Sequence, residues 1–380
     1  MIRVRELLEL EPFGEFELLA GEGGLDRPVA GYSVLDYEVE HGDYSEFAPG
    51  EFVISSLLLV RELSGKAGAA VTRLVERGVA ALAVRVFDRA EVPAEMRAIA
   101  ERENLPLFVF RKAHVNDLFI AANGFSRARE RSEHASRKLD ELLGVPSGGS
   151  TPASIVRAID PQLLPCCTVA FCVSPKDDPL SAATLRLMVR YSASEPSARR
   201  LFVPYAGGAL LFASAQEPGR AAISEALAMK AFRDIGFEPE KCRVGVGSTA
   251  QGYEEYALAV SEAMRAARIC RVLDAPFIRF DEAGAYRFVM AAAEDRSARR
   301  LCAKAVAVIE SYDAANSSGL LETLAEYVRT RGDVRAAAQS LFQHPNTIRY
   351  RLKKAASLLG LTGDVYEQLF IVMSVYLIDR

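Results

Sequence analysis

HPNTIRYRLKKAASLLG, running from His344 to Gly360, decides how the C-terminal part of this chain is read. Ile348, Leu352, Ala355 and Leu359 fall at i, i+4, i+7 and i+11, so the spacing predicts a helix with one apolar face able to dock on a core. Arg349, Arg351, Lys353 and Lys354 put four cations on that short helix with no acidic residue among them. With Ile348 at the centre of the docked face, Asn346, Tyr350 and Lys353 point the opposite way, flanked by Thr347, Arg349 and Lys354. Amides, a phenol and cations on one outward face can meet base edges and phosphates together. A merely solvated amphipathic helix would carry similar charges, so the preceding segments have to decide.

Residues 320–331, LLETLAEYVRTR, predict an amphipathic helix with Leu321, Leu324, Ala325 and Val328 on one side. Gly332 is read as its end, and Arg329 and Arg331 complement the dipole of its last turn. Asp333 stands where an N-cap belongs for a second helix, VRAAAQSL at 334–341. Ala336, Ala337 and Ala338 let a neighbour approach closely. After Phe342–Gln343, His344 is a second cap and Pro345 takes the first helical position, where a missing N–H costs nothing. Helix, short helix, tight turn and basic helix make a helix-turn-helix, although the turn lacks the glycine often found there.

The run GDVRAAAQSLFQHPNTIRYRLKKAASLLGL resembles the C-terminal DNA-binding domain of PucR/CdaR-type bacterial transcriptional regulators. Asn346 to Leu352 reproduces that family's Asn-Thr-hydrophobic-Arg-Tyr-Arg-Leu signature after a histidine. MIRVRELLEL, LLAGEGGLDRPVAGYSVLD and the Pro-Gly-Glu-hydrophobic run at 49–54 are similar to the family's N-terminal domain. The resemblance implies a DNA partner, a small-molecule effector whose site is unknown, and RNA polymerase as a further candidate partner. The residues expected to meet DNA are His344, Asn346, Thr347, Arg349, Tyr350, Arg351, Lys353 and Lys354. Of these, Asn346, Thr347, Arg349 and Tyr350 are expected at base edges, and Lys353 and Lys354 at phosphates.

At 380 residues the chain is long for one domain, and half its residues are hydrophobic, enough for real cores. A net charge of −4 argues against indiscriminate coating of nucleic acid, so any DNA contact must be local. No apolar run has the length of a membrane span, and the first residues lead straight into domain sequence without a signal-peptide core. A cytoplasmic protein with no membrane contact is expected. The six cysteines form no CxxC pair, and the four histidines, His41, His114, His134 and His344, lie far apart. Neither a metal site nor a cofactor is expected, and no catalytic residue is assigned.

Residues 1–125 predict an N-terminal α/β domain with a mostly parallel sheet. Apolar runs at 52–60, 79–86 and 105–110 read as strands, and helical patterns at 65–78 and 93–104 lie between them. GEGGLD at 21–26 lacks the spacing of a phosphate loop. Residues 126–152 are read as a helical linker, part of a long polar helix at 114–143 followed by VPSGGSTP. Leu118, Ala121, Ala122, Phe125, Ala128 and Leu139 form a partial seam that could pair with a second copy.

Residues 153–285 alternate as strand, helix, strand, strand, helix, strand, helix, strand, which predicts a ferredoxin- or cyclase-like α+β domain. This stretch resembles the degenerate GGDEF-like domain of the same regulators, whose active relatives are diguanylate cyclases. The hairpin is read as closing over Gly207–Gly208, and Gly207, Gly208, Ala209, Leu210 and Leu211 align with the signature of the active enzymes. Alanine and leucine cannot hold Mg²⁺, so cyclase chemistry is not expected. Residues 286–318 connect this domain to an all-α helix-turn-helix at 319–380. The expected protein is a sequence-specific regulator of a metabolic pathway, working as a homodimer. A nucleotide-binding or nucleotide-cyclising enzyme with a dimerising helical tail, and a non-enzymatic interaction scaffold, remain the alternatives.

Overall fold

The structure is a computed structural model that describes residues 2–56, 58–144, 150–173, 182–192 and 199–379. Five strands form the first sheet: β1 Glu17–Ala20, β2 Gly31–Leu35, β3 Glu51–Ser55, β4 Ala81–Arg85 and β5 Leu107–Phe110. Their spatial order is β1-β5-β4-β3-β2, parallel from β2 to β5, with β1 antiparallel at the edge. Alternate residues divide between the faces. Val53, Leu82, Val84, Leu107 and Val109 join a core with Val71 and Leu74 of α1 (Ala67–Glu76) and Met96 and Ile99 of α2 (Ala94–Arg102). Phe52, Phe108 and Phe110 turn the other way into an aromatic cluster with Phe13 and Phe16. Burial on both faces is what a parallel sheet requires.

The run expected as one strand at 52–60 ends as a strand at Ser55, whose buried hydroxyl donates to the Leu35 carbonyl at 2.9 Å. Residues 58–61 are instead a short helix. A short apolar run does not distinguish a strand from a buried helical turn. The glycines of GEGGLD pack where side chains cannot go: a Cβ on Gly21 would lie 2.0 Å from the Leu105 carbonyl oxygen. Their role is close approach of backbone.

Helix α3, Val115–Leu143, is continuous, and the chain divides into two compact units within it, between Arg131 and Ser132. The first turns of α5 (Ala182–Ser192) fall to the first unit. This differs from a linker beginning at 126. Leu118, Ala122, Phe125, Ala128 and Leu139 are all buried in their own chain, and Leu139 shares a core with Val169 and Tyr256. The seam expected to meet a second copy is therefore used internally. Of VPSGGSTP, residues 145–149 lie outside the described residues. Thr151 caps a further helix, α4 Pro152–Ile159, by accepting from the Ser154 N–H.

The second sheet comprises β6 Cys166–Val173, β7 Arg199–Tyr205, β8 Gly208–Ala215, β9 Val244–Val246 and β10 Phe277–Arg279, in the order β10-β9-β6-β8-β7. With α5, α6 (Glu225–Asp234) and α7 (Tyr256–Leu273), this is a β-α-β-β-α-β split sheet with one strand added beside β9. The hairpin turn is one residue earlier than expected. Ala206 and Gly207 have φ of +48° and +74°, as a two-residue turn of twisted strands demands, and Gly208 already pairs with Tyr205.

Six helices complete the chain: α8 Tyr286–Glu294, α9 Arg296–Asn316, α10 Leu320–Arg329, α11 Val334–Ser340, α12 Pro345–Leu358 and α13 Val365–Asp379. One continuous core runs from Ala266 of α7 through Val289, Val306, Leu324, Ile348 and Leu352 to Met373. Residues 286–316 thus belong to the body that carries the last helices and are not a spacer. The Tyr286 hydroxyl donates to the Val328 carbonyl at 2.7 Å and its ring meets Phe370 edge-on, which ties α8 to the end of α10 and to α13.

Candidate nucleic-acid interface

Three caps define the site's backbone. Asp333 accepts from the N–H groups of Arg335 (2.7 Å) and Ala336 (3.1 Å), starting α11 where the sequence expects it. His344 starts α12 through Nδ1, which accepts from the Asn346 N–H at 3.1 Å, with Pro345 in the first helical position. A bare Nδ1 is the assignment this bond requires. Asp313, on α9, reaches across the break between helices to accept from the N–H groups of Leu320 (2.9 Å) and Leu321 (2.8 Å) and from the Ser318 hydroxyl. Burial pushes its carboxyl up. The bonds from Leu321, Ser318 and Leu320 and the nearby charge of Arg351 more than offset this, so its pKa lies below the ordinary value.

On α12, Ile348, Leu352, Ala355 and Ala356 are buried and Leu359 is half-buried, which seats the helix as its spacing predicts. Asn346, Arg349, Tyr350 and Lys353 are exposed, and Thr347 is half-buried beside them. The Asn346 side-chain oxygen Oδ1 accepts from the Arg349 guanidinium at 3.0 Å, so an amide and a guanidinium stand as one unit on the outer face. Tyr350 is 68% exposed with its ring in solvent.

Two of the residues expected at DNA have partners on neighbouring helices. Arg351 donates to the Thr323 hydroxyl at 3.1 Å and lies over Gly319, at the start of α10. Three residues on from Ile348, it borders the buried face, which is why it turns inward. The Lys354 ammonium sits 5.0 Å from the centre of the Tyr312 ring on α9. Both cations brace α12 against its neighbours. Conversely, Arg335 at the open end of α11 and Phe342 in the turn are exposed and were not among the expected contacts. Arg335 follows a recognisable cap, so helix position could have pointed to it. No sequence rule points to Phe342.

The α10 terminus also differs from expectation. The helix ends at Arg329 with Thr330 as its C-cap, so Arg331, expected in its last turn, lies beyond it at φ +56°, and Gly332 follows at φ +83°. In the middle domain, Ala209, Leu210 and Leu211 are fully buried in β8, between β6 and β7. Among the described residues no group of three or more His, Cys, Asp or Glu side chains could hold a metal, and no helix is long and apolar enough to cross a membrane. All six cysteines are free and buried.

Residues 6–116 match the Purine catabolism regulatory protein-like (PucR) family. Residues 320–377, spanning α10 to α13, match the PucR C-terminal helix-turn-helix domain. No curated protein matches the sequence. A crystal structure of a regulator of polyketide synthase expression from Bifidobacterium adolescentis aligns with 64% of this chain and 91% of its own, at 19% identity and a TM-score of 0.30. A superposition that loose says nothing about the site.

Proposed function

We infer, from a chain that carries both the PucR N-terminal domain and the PucR helix-turn-helix, that this DNA-binding transcriptional regulator of a metabolic pathway reads its operator with the outer face of α12. The observation that carries this reading is the division of labour on that helix. Arg351 and Lys354 hold it in place, which leaves Asn346, Thr347, Arg349, Tyr350 and Lys353 outward and His344 fixing the first turn. Arg349, held by Asn346, suits a guanine edge, and Lys353, further along the helix, suits a phosphate. The test is selection of duplexes from random-sequence DNA on the full-length chain. A shared motif is expected, with enrichment that Arg349→Ala removes; recovery of no motif would refute operator reading.

The same reading includes two copies acting together, because one small helix-turn-helix buries little surface on DNA. On α9, Leu301 and Val308 are exposed two turns apart on one face, and Phe288 is exposed on α8. These apolar positions favour pairing beside the DNA-binding helices over pairing through α3. A small-molecule effector acting through the N-terminal and middle domains completes the proposal, since open α/β sheets bind ligands beyond their strand ends. The reading contains no nucleotide chemistry, because apolar Ala209, Leu210 and Leu211 cannot bind Mg²⁺. Purified protein with GTP and Mg²⁺ should yield no cyclic dinucleotide.

A further inference from the structure

The turn between α11 and α12 ends in a left-handed cap. The N–H of Phe342 donates to the Gln339 carbonyl (3.2 Å) and that of Gln343 to the Ala338 carbonyl (2.9 Å), the paired bonds that close a helix when the residue after its C-cap is left-handed. That residue is Phe342, at φ +51°. The same pair of bonds closes α1, α2, α6 and α12 around Gly78, Asn104, Gly236 and Gly360, residue types that adopt this backbone easily, and closes α10 around Arg331. A bulky aromatic there is disfavoured. Nor does packing explain it, for Phe342 is 95% exposed, the most exposed large apolar side chain among the described residues.

The bonds of this cap would form equally around glycine, so the unburied ring adds nothing to the free protein, and its role lies in a bound state. Two residues later α12 begins, with Asn346, Arg349 and Tyr350 exposed at its head and no acid on the helix. The polar groups of that surface suit base edges and phosphates, and what they leave unread in a major groove is the thymine methyl, the groove's apolar feature. We propose that Phe342 packs against a thymine methyl at the margin of the site read by α12, adding recognition of an A·T pair. The left-handed backbone projects the ring outward from the turn, where a glycine would offer nothing. This inference rests on the DNA-reading role of α12.

The test uses the full-length chain and duplexes selected on it from random-sequence DNA, with Phe342→Gly and Phe342→Asn as variants and Arg349→Ala as control. Phe342→Gly should melt at or above the wild-type temperature, because glycine accepts the backbone and no packed ring is lost. It should bind the selected duplex on the order of tenfold more weakly, the range of one lost base contact. Replacing the contacted thymine by uracil removes only the methyl; this should weaken the wild-type protein by a similar factor and cost Phe342→Gly nothing further. Should Phe342→Gly melt lower, Phe342→Asn and the uracil series decide in its place. Equal binding by wild type and both variants, or uracil effects shared by all of them, would overturn the proposal and direct the ring to a protein partner. If Arg349→Ala weakens binding while Phe342→Gly does not, only the role of the ring fails. If neither substitution matters, the reading of α12 itself is wrong.

Discussion

β8 and α12 are the two elements on which the resemblance placed chemistry, and their surroundings are opposite. β8 is hydrogen-bonded along both edges and buried at every residue from Gly208 to Ala215, so its side chains can only pack. α12 buries one face through Ile348, Leu352, Ala355 and Ala356 and presents the other to solvent, so a single helix supplies both anchorage and recognition. A central strand that loses its polar residues can still hold a domain together. A recognition helix that loses them would keep its fold and lose its use. Substitutions in the two elements should therefore separate stability from binding.

The largest effect is expected in β8. Leu210 is fully buried and packs in the core with Phe212 and Tyr256, so Leu210→Ala should cost about 2–5 kcal/mol of stability through lost burial and an unfilled cavity. Its DNA affinity, measured on the folded fraction, should be unchanged. Denaturant melts beside binding titrations on the same sample check both halves, and an affinity that falls along with stability would join what the comparison separates.

The opposite pattern is expected on α12. Arg349→Ala should weaken binding to the selected duplex by about 1–3 kcal/mol and relax its sequence preference. Lys353→Ala should weaken all duplexes alike and reduce the slope of log affinity against log salt by about one. Because both side chains are exposed, stability should stay within about 0.5 kcal/mol of wild type. Anisotropy titrations across a salt series distinguish the two roles; identical behaviour of the two variants would remove the distinction between base and phosphate contact.

The parts legible in the sequence are those in which local rules and tertiary packing agree. Asp333, His344 and Pro345 announce helix starts through their own backbone chemistry, and each stands where expected. Strands β3, β4 and β5 are apolar enough to be seen, but β1 and β2 are only half-buried over much of their length. The division of the cations was hidden for another reason. Helix position sets Arg351 beside the buried face, but its partner, Thr323, lies 28 positions earlier in the chain, a contact no helical pattern contains. Phe342 was hidden because its backbone contradicts aromatic propensity, and rules built on propensity cannot anticipate a residue kept against it.

The smallest effect tests how the recognition helix is held. Asp313 joins α9 to the start of α10, beside the guanidinium of Arg351. Its folded pKa lies below the unfolded value, so ionisation contributes stability that is complete above about pH 4 and is lost as pH falls through the folded value. Asp313→Asn keeps one oxygen to accept from Leu320 and Ser318, but it removes the charge and sets an NH2 group, which cannot accept, against the Leu321 N–H, so at neutral pH it should cost about 1 kcal/mol. That deficit should shrink below pH 4, until wild type and variant melt together in acid. Melting curves across that range read the difference. DNA affinity at neutral pH should fall far less than in Arg349→Ala, because Arg351 keeps its bond to Thr323 and α12 stays seated. A loss as large as that of Arg349→Ala would mean that the brace governs recognition as strongly as the exposed face does, and the contrast between anchoring and reading residues on α12 would have to be given up.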